Sequence, residues 1–264
     1  MPYPLYVVDA FTSHRFGGNP AAVCIIDEEK NSDWMQSVAA EMNLSETAFV
    51  RPNLDIFELK WFTPKAEVAL CGHATLAAAH ILWESKVVPV NVPVNFNTLS
   101  GKLTATKSAA WINLDFPALG VEKTILAPDP IVDALGVDPV FVGKSRFDYL
   151  VEVATEAEVF AAKPNFTALA KETSIRGSIL TARSNSVEYD FVSRFFLPGD
   201  GIDEDPVTGS AHCSLVPYWS AKIKRNELTG YQASKRGGII RAVNRGSRVN
   251  LSGQAVTVTK GTLL

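Results

Sequence analysis

The chain carries only three cysteines, Cys24, Cys71 and Cys213. So small and odd a number argues against a disulfide framework and for a reducing compartment, which makes the cytoplasm the expected location. No Cys/His cluster has metal-ligand spacing, and no metal is expected. The GxGxxG and GxxxxGK[ST] patterns are missing, so no tightly bound nucleotide and no other cofactor is expected. Lys and Arg are scattered at a net charge of −3, in no run that would track a phosphate backbone. Nucleic acid is therefore an unexpected partner. No apolar run is long enough to span a bilayer. The opening Pro2-Tyr3-Pro4-Leu5-Tyr6-Val7-Val8 has neither the basic stretch nor the long apolar core of a signal peptide. No membrane partner is expected.

What is present suits an ordinary globular protein. The chain has 264 residues, enough for one large domain or two modest ones with real cores. Leu5–Phe11 and Ala21–Ile26 read as strands, with Gly17-Gly18-Asn19-Pro20 as the turn between them. Ser32–Met42 reads as a helix with Ser32 as its N-cap. Thr47–Val50 and Ile56–Phe62 read as strands, the second ended by Pro64. Cys71–Glu84 reads as a helix apolar nearly all round, the pattern of a helix buried on every side. Val92–Phe96, Lys102–Thr106 and Trp111–Phe116 follow as strands. Pro117–Gly136, with Pro117, Pro128 and Pro130, is a connection holding a short helix, and the boundary is placed at its start, between residues 116 and 117. Beyond it come a strand at Leu150–Val153, a helix at Phe166–Glu172, strands at Ser178–Ala182 and Tyr189–Phe196, a helix at Thr208–Lys222, and strands at Gly238–Val243, Arg248–Leu251 and Ala255–Val258.

The two halves repeat. Sliding one onto the other lays Thr47-Ala48 on Thr181-Ala182, Phe57 on Phe191, Phe62 on Phe196 and Pro64 on Pro198. After a short insertion, Gly72 falls on Gly209, Ala74 on Ala211, Gly101 on Gly238, Ala105 on Ala242 and Asn113-Leu114 on Asn250-Leu251. Any two β-α-β stretches can be slid into partial register, so the weight lies in the order of these matches. In a duplicated scaffold, polar departures from symmetry are candidates for function. Glu46 falls on Leu180, and burial without a cation is what makes a carboxyl basic enough to shuttle protons near neutral pH. His73 falls on Ser210, each in the first turn of its helix, where free N–H groups favour anions and Gly72 and Gly209 leave the backbone open. Asp205 falls on Val68, within an acidic run that could orient the His73 ring. Cys71 falls on Thr208 and could be a base with a lowered pKa. Each has a plainer alternative: an exposed strand-end carboxylate, a core histidine, ordinary caps, a small buried apolar residue.

Asp9-Ala10-Phe11-Thr12, Gly18-Asn19-Pro20-Ala21, Asn43-Leu44-Ser45-Glu46-Thr47-Ala48-Phe49, Phe62-Thr63-Pro64, Cys71-Gly72-His73-Ala74-Thr75 and Glu204-Asp205-Pro206-Val207-Thr208-Gly209-Ser210-Ala211 together resemble the PhzF-like isomerase family of phenazine biosynthesis. The resemblance runs from Tyr6 to Gly261-Thr262. It implies an α+β, diaminopimelate epimerase-like fold: two similar halves, each a curled sheet around a central helix, with the active site in the cleft between them and the last strand, 256–264, returning to the first half. It also implies a homodimer and a cofactor-independent isomerase. Glu46 would move a proton between carbons of a small carboxylated substrate. His73 and Asp205 would join it as catalytic residues, and Gly72, Gly209 and Ser210 would bind substrate. Related epimerases use one cysteine from each half; Thr208 stands where the second would be, which counts against two-base racemisation. Two other readings stay open: an amino-acid epimerase using Cys71, and a non-catalytic binding protein on the same fold.

Overall fold

Short β-branched and aromatic segments bounded by Gly, Pro and Asn form the strands of the computed structural model, which describes residues 2–124, 129–172 and 174–264. In chain order the first elements are β1 (Tyr3–Ala10), β2 (Asn19–Ile25), α1 (Ser32–Met42), β3 (Glu46–Asn53), β4 (Ile56–Phe62), β5 (Glu67–Val68), α2 (Gly72–Glu84), β6 (Val94–Thr98), β7 (Gly101–Ser108) and β8 (Trp111–Pro117). Then come β9 (Glu122–Lys123), α3 (Asp129–Leu135), β10 (Pro139–Lys144), β11 (Asp148–Val153), α4 (Glu156–Ala161), α5 (Phe166–Leu169), β12 (Gly177–Arg183) and β13 (Phe191–Phe196). The last are α6 (Gly209–Ile223), β14 (Glu227–Gln232), β15 (Gly238–Asn244), β16 (Arg248–Gly253) and β17 (Ala255–Leu263). Two compact units result: Met1–Asp115 with Leu251–Leu264, and Phe116–Asn250.

In unit 1, β17 pairs antiparallel with β1, and β1 with β2. β2 and β3 run parallel, β3 and β4 antiparallel, β4 and β6 parallel, β6 and β7 antiparallel, and β7 and β8 antiparallel. Parallel neighbours need a crossover, and α1 and α2 lie in the two crossovers. Apart from His80, α2 is buried from His73 to Trp83; its alanines let it sit close against β1, β2, β3 and β17. α1 packs Met35, Val38 and Ala39 into a core with Cys24, Phe49 and Phe62.

Unit 2 repeats the scheme. β9 and β10 are antiparallel, as are β10 and β11; β11 and β12 are parallel, β12 and β13 antiparallel, β13 and β14 parallel, β14 and β15 antiparallel. α4 and α5 occupy the first crossover and α6 the second. α6 contains Pro217, which has no N–H for the carbonyl of Cys213. The backbone N–H of Leu119 donates to that carbonyl instead, at 2.9 Å.

The pairings correct the register of the repeat. Glu46 opens β3 opposite Ala21, and the residue that opens β12 opposite Asp148 is Gly177. Thr47 faces Phe62, whereas Phe196, the match of Phe62, faces Ser178. The counterpart of Glu46 is therefore Gly177 and not Leu180. A Cβ on Gly177 would stand 2.7 Å from Phe195 Cζ and 2.7 Å from the Phe196 carbonyl oxygen, so this position holds no side chain at all.

Smaller expectations also change. The N-cap of α1 is Asn31, whose side chain accepts from the N–H of Trp34 at 2.8 Å, and Ser32 is already helical. Asn19 and Pro20 belong to β2; of the four expected turn residues only Gly18 takes a positive φ, +60°, where a Cβ would meet the Ala10 carbonyl oxygen at 2.1 Å. The helix expected over Phe166–Glu172 is the short α5, and β10, α4 and β14 were not foreseen. The connection after Pro117 holds α3; Pro128 lies outside the described residues. Among the described residues no helix is long and apolar enough to cross a membrane.

Candidate active site

Three elements of unit 1 bring polar groups to one point. Glu46 is the first residue of β3, His73 the second residue of α2, and Asn19 the first residue of β2. Glu46 Oε2 lies 3.0 Å from His73 Nε2, with the two side chains 16% and 5% exposed. Neither atom meets the angular criteria of a hydrogen bond, so this is a close charge contact rather than an aligned bond. The other ring nitrogen, Nδ1, has the Asn19 amide nitrogen at 3.1 Å and Cys71 Sγ at 3.6 Å. Carboxylate, imidazole and thiol thus form a chain across the ring.

Burial by itself pulls the His73 pKa down. The Cys71 sulfur and the Glu46 carboxylate outweigh it, and the net shift is well upward. The Cys71 thiol is pushed up by burial first and by the Glu46 charge second, against the opposing pull of His73. That direction is contrary to the lowered pKa that a helix N-terminus suggested. Cys71 is the N-cap of α2, extended at φ −143° and ψ 113°, yet its side chain makes no capping hydrogen bond.

Glu46, Cys71 and His73 each offer a donor atom within 4.8 Å of the others. The sulfur and the carboxylate face opposite nitrogens of the ring, and Nδ1 is already hydrogen bonded. That arrangement fits a proton chain better than an ion cage, which needs its donors aimed at one point.

In unit 2, Asp205 is buried beside the start of α6 and accepts a short hydrogen bond of 2.5 Å from Thr208 Oγ1. Gln232 ties the same corner. Its amide nitrogen donates to the Asp205 carbonyl at 2.8 Å and to Thr208 Oγ1 at 3.1 Å, and its amide oxygen accepts from the Thr208 N–H at 2.8 Å. Glu204 is held by Arg194 through two contacts of 2.7 and 2.9 Å. Gly209 and Ser210 are the first two residues of α6, at the end where backbone N–H groups are free.

The family model for phenazine biosynthesis-like proteins, PhzC-PhzF, matches residues 8–261. The chain belongs to this family. An uncharacterized isomerase of Halalkalibacterium halodurans is 52% identical to this PhzF-like chain over 264 residues, covering 100% of the chain and 99% of the relative. The crystal structure of a PhzF-family phenazine biosynthesis protein from Enterococcus faecalis superposes with a TM-score of 0.95 at 39% identity, covering 100% of both chains. A probable proline racemase from Agrobacterium radiobacter reaches a TM-score of 0.70 at 11% identity, over 99% of this chain and 93% of its own. That last likeness shows the fold alone, which is the α+β, epimerase-like one. The PhzF-like chain is an isomerase.

Sequence reasoning named Glu46, His73 and Gly72, and unit 1 brings them together with Cys71. It missed Asn19, taken as a turn residue, although Gly18-Asn19-Pro20-Ala21 stood among the family motifs. It also missed Gln232, a lone polar residue in a strand, which carries no pattern of its own.

Proposed function

We propose that this PhzF-like isomerase moves a proton between two carbons of a small carboxylated substrate without a cofactor, with Glu46 as both acid and base. The observation that carries the reading is the half-buried Glu46 carboxylate 3.0 Å from the buried His73 ring. The carboxylate takes a proton from a carbon activated by a neighbouring carboxyl or double bond. The C–H electron pair moves into the conjugated system. The protonated Glu46 then returns the same proton to a different carbon, so composition is unchanged and only the double bonds move. His73, 3.0 Å away, holds the carboxyl group in place through both transfers. Gly72 keeps the start of α2 free of side chain, so that its N–H groups can meet negative charge as it develops. In unit 2 we assign Gly209 and Ser210 the same anion-holding role at the start of α6, and Asp205 the task of setting that terminus through Thr208.

The rival, Cys71 as the base, is disfavoured by the raised pKa of its buried thiol and by its engagement with His73. The test is a panel of aromatic and amino-acid-like carboxylates incubated with enzyme in deuterated water, with carbon-bound exchange read by NMR. For a substrate that is turned over, Glu46→Gln is expected to lose about 100-fold or more of the exchange rate. Undiminished exchange overturns the assignment.

A further inference from the structure

The proposed reaction gives Cys71 no task, yet its sulfur closes the far edge of the His73 ring. It lies 3.6 Å from Nδ1 while Nε2 faces Glu46 at 3.0 Å. Capping does not explain a thiol here. The side chain makes no cap hydrogen bond, and the same position in unit 2 is filled by Thr208. Simple space filling does not explain it either, since an apolar filler has no reason to meet a ring nitrogen.

Counting protons gives the thiol a role. With Glu46 ionised and one proton on Nε2, a second proton lies between Sγ and Nδ1. Written as thiol and imidazole, or as thiolate and imidazolium, the three side chains carry the same net charge of about −1. Removing that proton would put a second negative charge into a buried site. Both partners accordingly hold their protons more firmly than usual. For Cys71, burial and Glu46 prevail; for His73, the sulfur and Glu46 prevail over burial. Among the described residues, the titratable groups facing the ring are Glu46 from β3 and Cys71 from the start of α2; the neutral amide nitrogen of Asn19 of β2 also donates to Nδ1, at 3.1 Å, so the thiol acts beside a second donor that favours the same tautomer.

We propose that Cys71 is a positioning residue for His73: thiol and Nδ1 share one proton, which keeps Nε2–H turned toward Glu46. No proton is gained or lost by the pair over a turnover; the one that migrates on the substrate is carried by Glu46. The proposal deepens the Glu46 reading and rests on it for its catalytic meaning.

The test needs no substrate. Imidazole 15N signals of the full chain are followed against pH in the wild type, Cys71→Ala and Cys71→Ser, with His80 and His212 as controls in the same spectra. In Cys71→Ala the His73 titration is expected to move to lower pH while the controls stay. In Cys71→Ser a donor remains on Nδ1 but its proton cannot be shared at ordinary pH, so Nε2 keeps its proton and the titration again moves down. An unchanged His73 titration in Cys71→Ala overturns the proposal. Should that variant fail to fold, the same result in Cys71→Ser overturns it. If Glu46→Gln keeps full exchange while the His73 titration moves, the Glu46 reading fails and the shared proton stands.

Discussion

His212 is fully buried in α6, its Nδ1 donating to the Thr208 carbonyl at 2.8 Å. Its Nε2 is buried without a hydrogen-bond partner among the described residues, and the Phe191 ring centroid lies 5.8 Å away. Burial pushes its pKa down from 6.5 to about 4, against a smaller upward pull from the Thr208 carbonyl. The sign of the consequence is fixed by linkage. Between pH 6.5 and about 4, the unfolded chain takes up a proton that the native ring refuses, so stability falls with pH across that window and the effect levels off below it. A shift of that size corresponds to about 3 kcal/mol. His73, whose pKa is raised, acts in the opposite sense: its contribution is present below the ordinary histidine pKa and is lost as pH rises through the folded value. The perturbation is His212→Asn, which keeps an N–H for the Thr208 carbonyl but cannot titrate. Urea unfolding of the full chain at about pH 7.5 and about pH 4.5 is compared in wild type and variant. Whatever the variant loses in absolute stability, the wild type is expected to lose about 2.5 kcal/mol more on acidification, since at about pH 4.5 most but not all of the shift has been expressed. Equal losses in the two proteins would refute the argument, as would a His212 imidazole signal that titrates near the unfolded value.

Two stability predictions follow from the fold. Gly177→Ala forces a methyl against the Phe196 backbone and the Phe195 ring, and is expected to cost about 1–3 kcal/mol in urea unfolding, because backbone cannot give way as a side-chain end can. Asn31→Ala is expected to cost about 1 kcal/mol and Ser32→Ala almost nothing, since Asn31 alone carries the cap bond to Trp34; equal costs would show that Ser32 shares the cap.

The sequence made α2 legible because a helix buried on all sides is apolar on all sides, and the expected Cys71–Glu84 missed its bounds by one residue. β14 was illegible for the opposite reason. Its buried positions are Leu228, Gly230 and Gln232, and two of these do not look apolar. Gly230 is small because the Phe191 ring already fills the space a Cβ would take, at 2.5 Å. α4 is one short turn and a half whose capping box, Thr155 with Glu158, holds it while only Val159 is buried, too little for a helical period to register. Asn19 was hidden by its neighbours. Gly, Asn and Pro together read as a turn, but only Gly18 takes a positive φ, and Asn19 is free to open a strand. The register error had a definite source too. The identity of Thr47-Ala48 with Thr181-Ala182 pulled the alignment three residues out of step with the strand pairing, and an odd slip exchanges the faces of a strand.

The corrected register strengthens the case for a single carboxylate. The two buried helices begin alike: Cys71 and Thr208 are extended N-caps, and in each helix the side chain at the fourth position returns to the cap carbonyl, Thr75 Oγ1 to Cys71 at 2.5 Å and His212 Nδ1 to Thr208 at 2.8 Å. With termini built to the same plan, a symmetric two-base enzyme would need matching bases at both. Unit 2 cannot supply one at the strand opening, because Phe195 and the Phe196 carbonyl occupy the space beside Gly177 that a side chain would need. It supplies none at the cap, where Thr208 spends its hydroxyl proton on Asp205. Unit 1 places Glu46, His73 and Cys71 at the same two positions and couples them through one ring. The asymmetry is therefore enforced by packing at Gly177 in unit 2, and it agrees with the single-carboxylate mechanism proposed above.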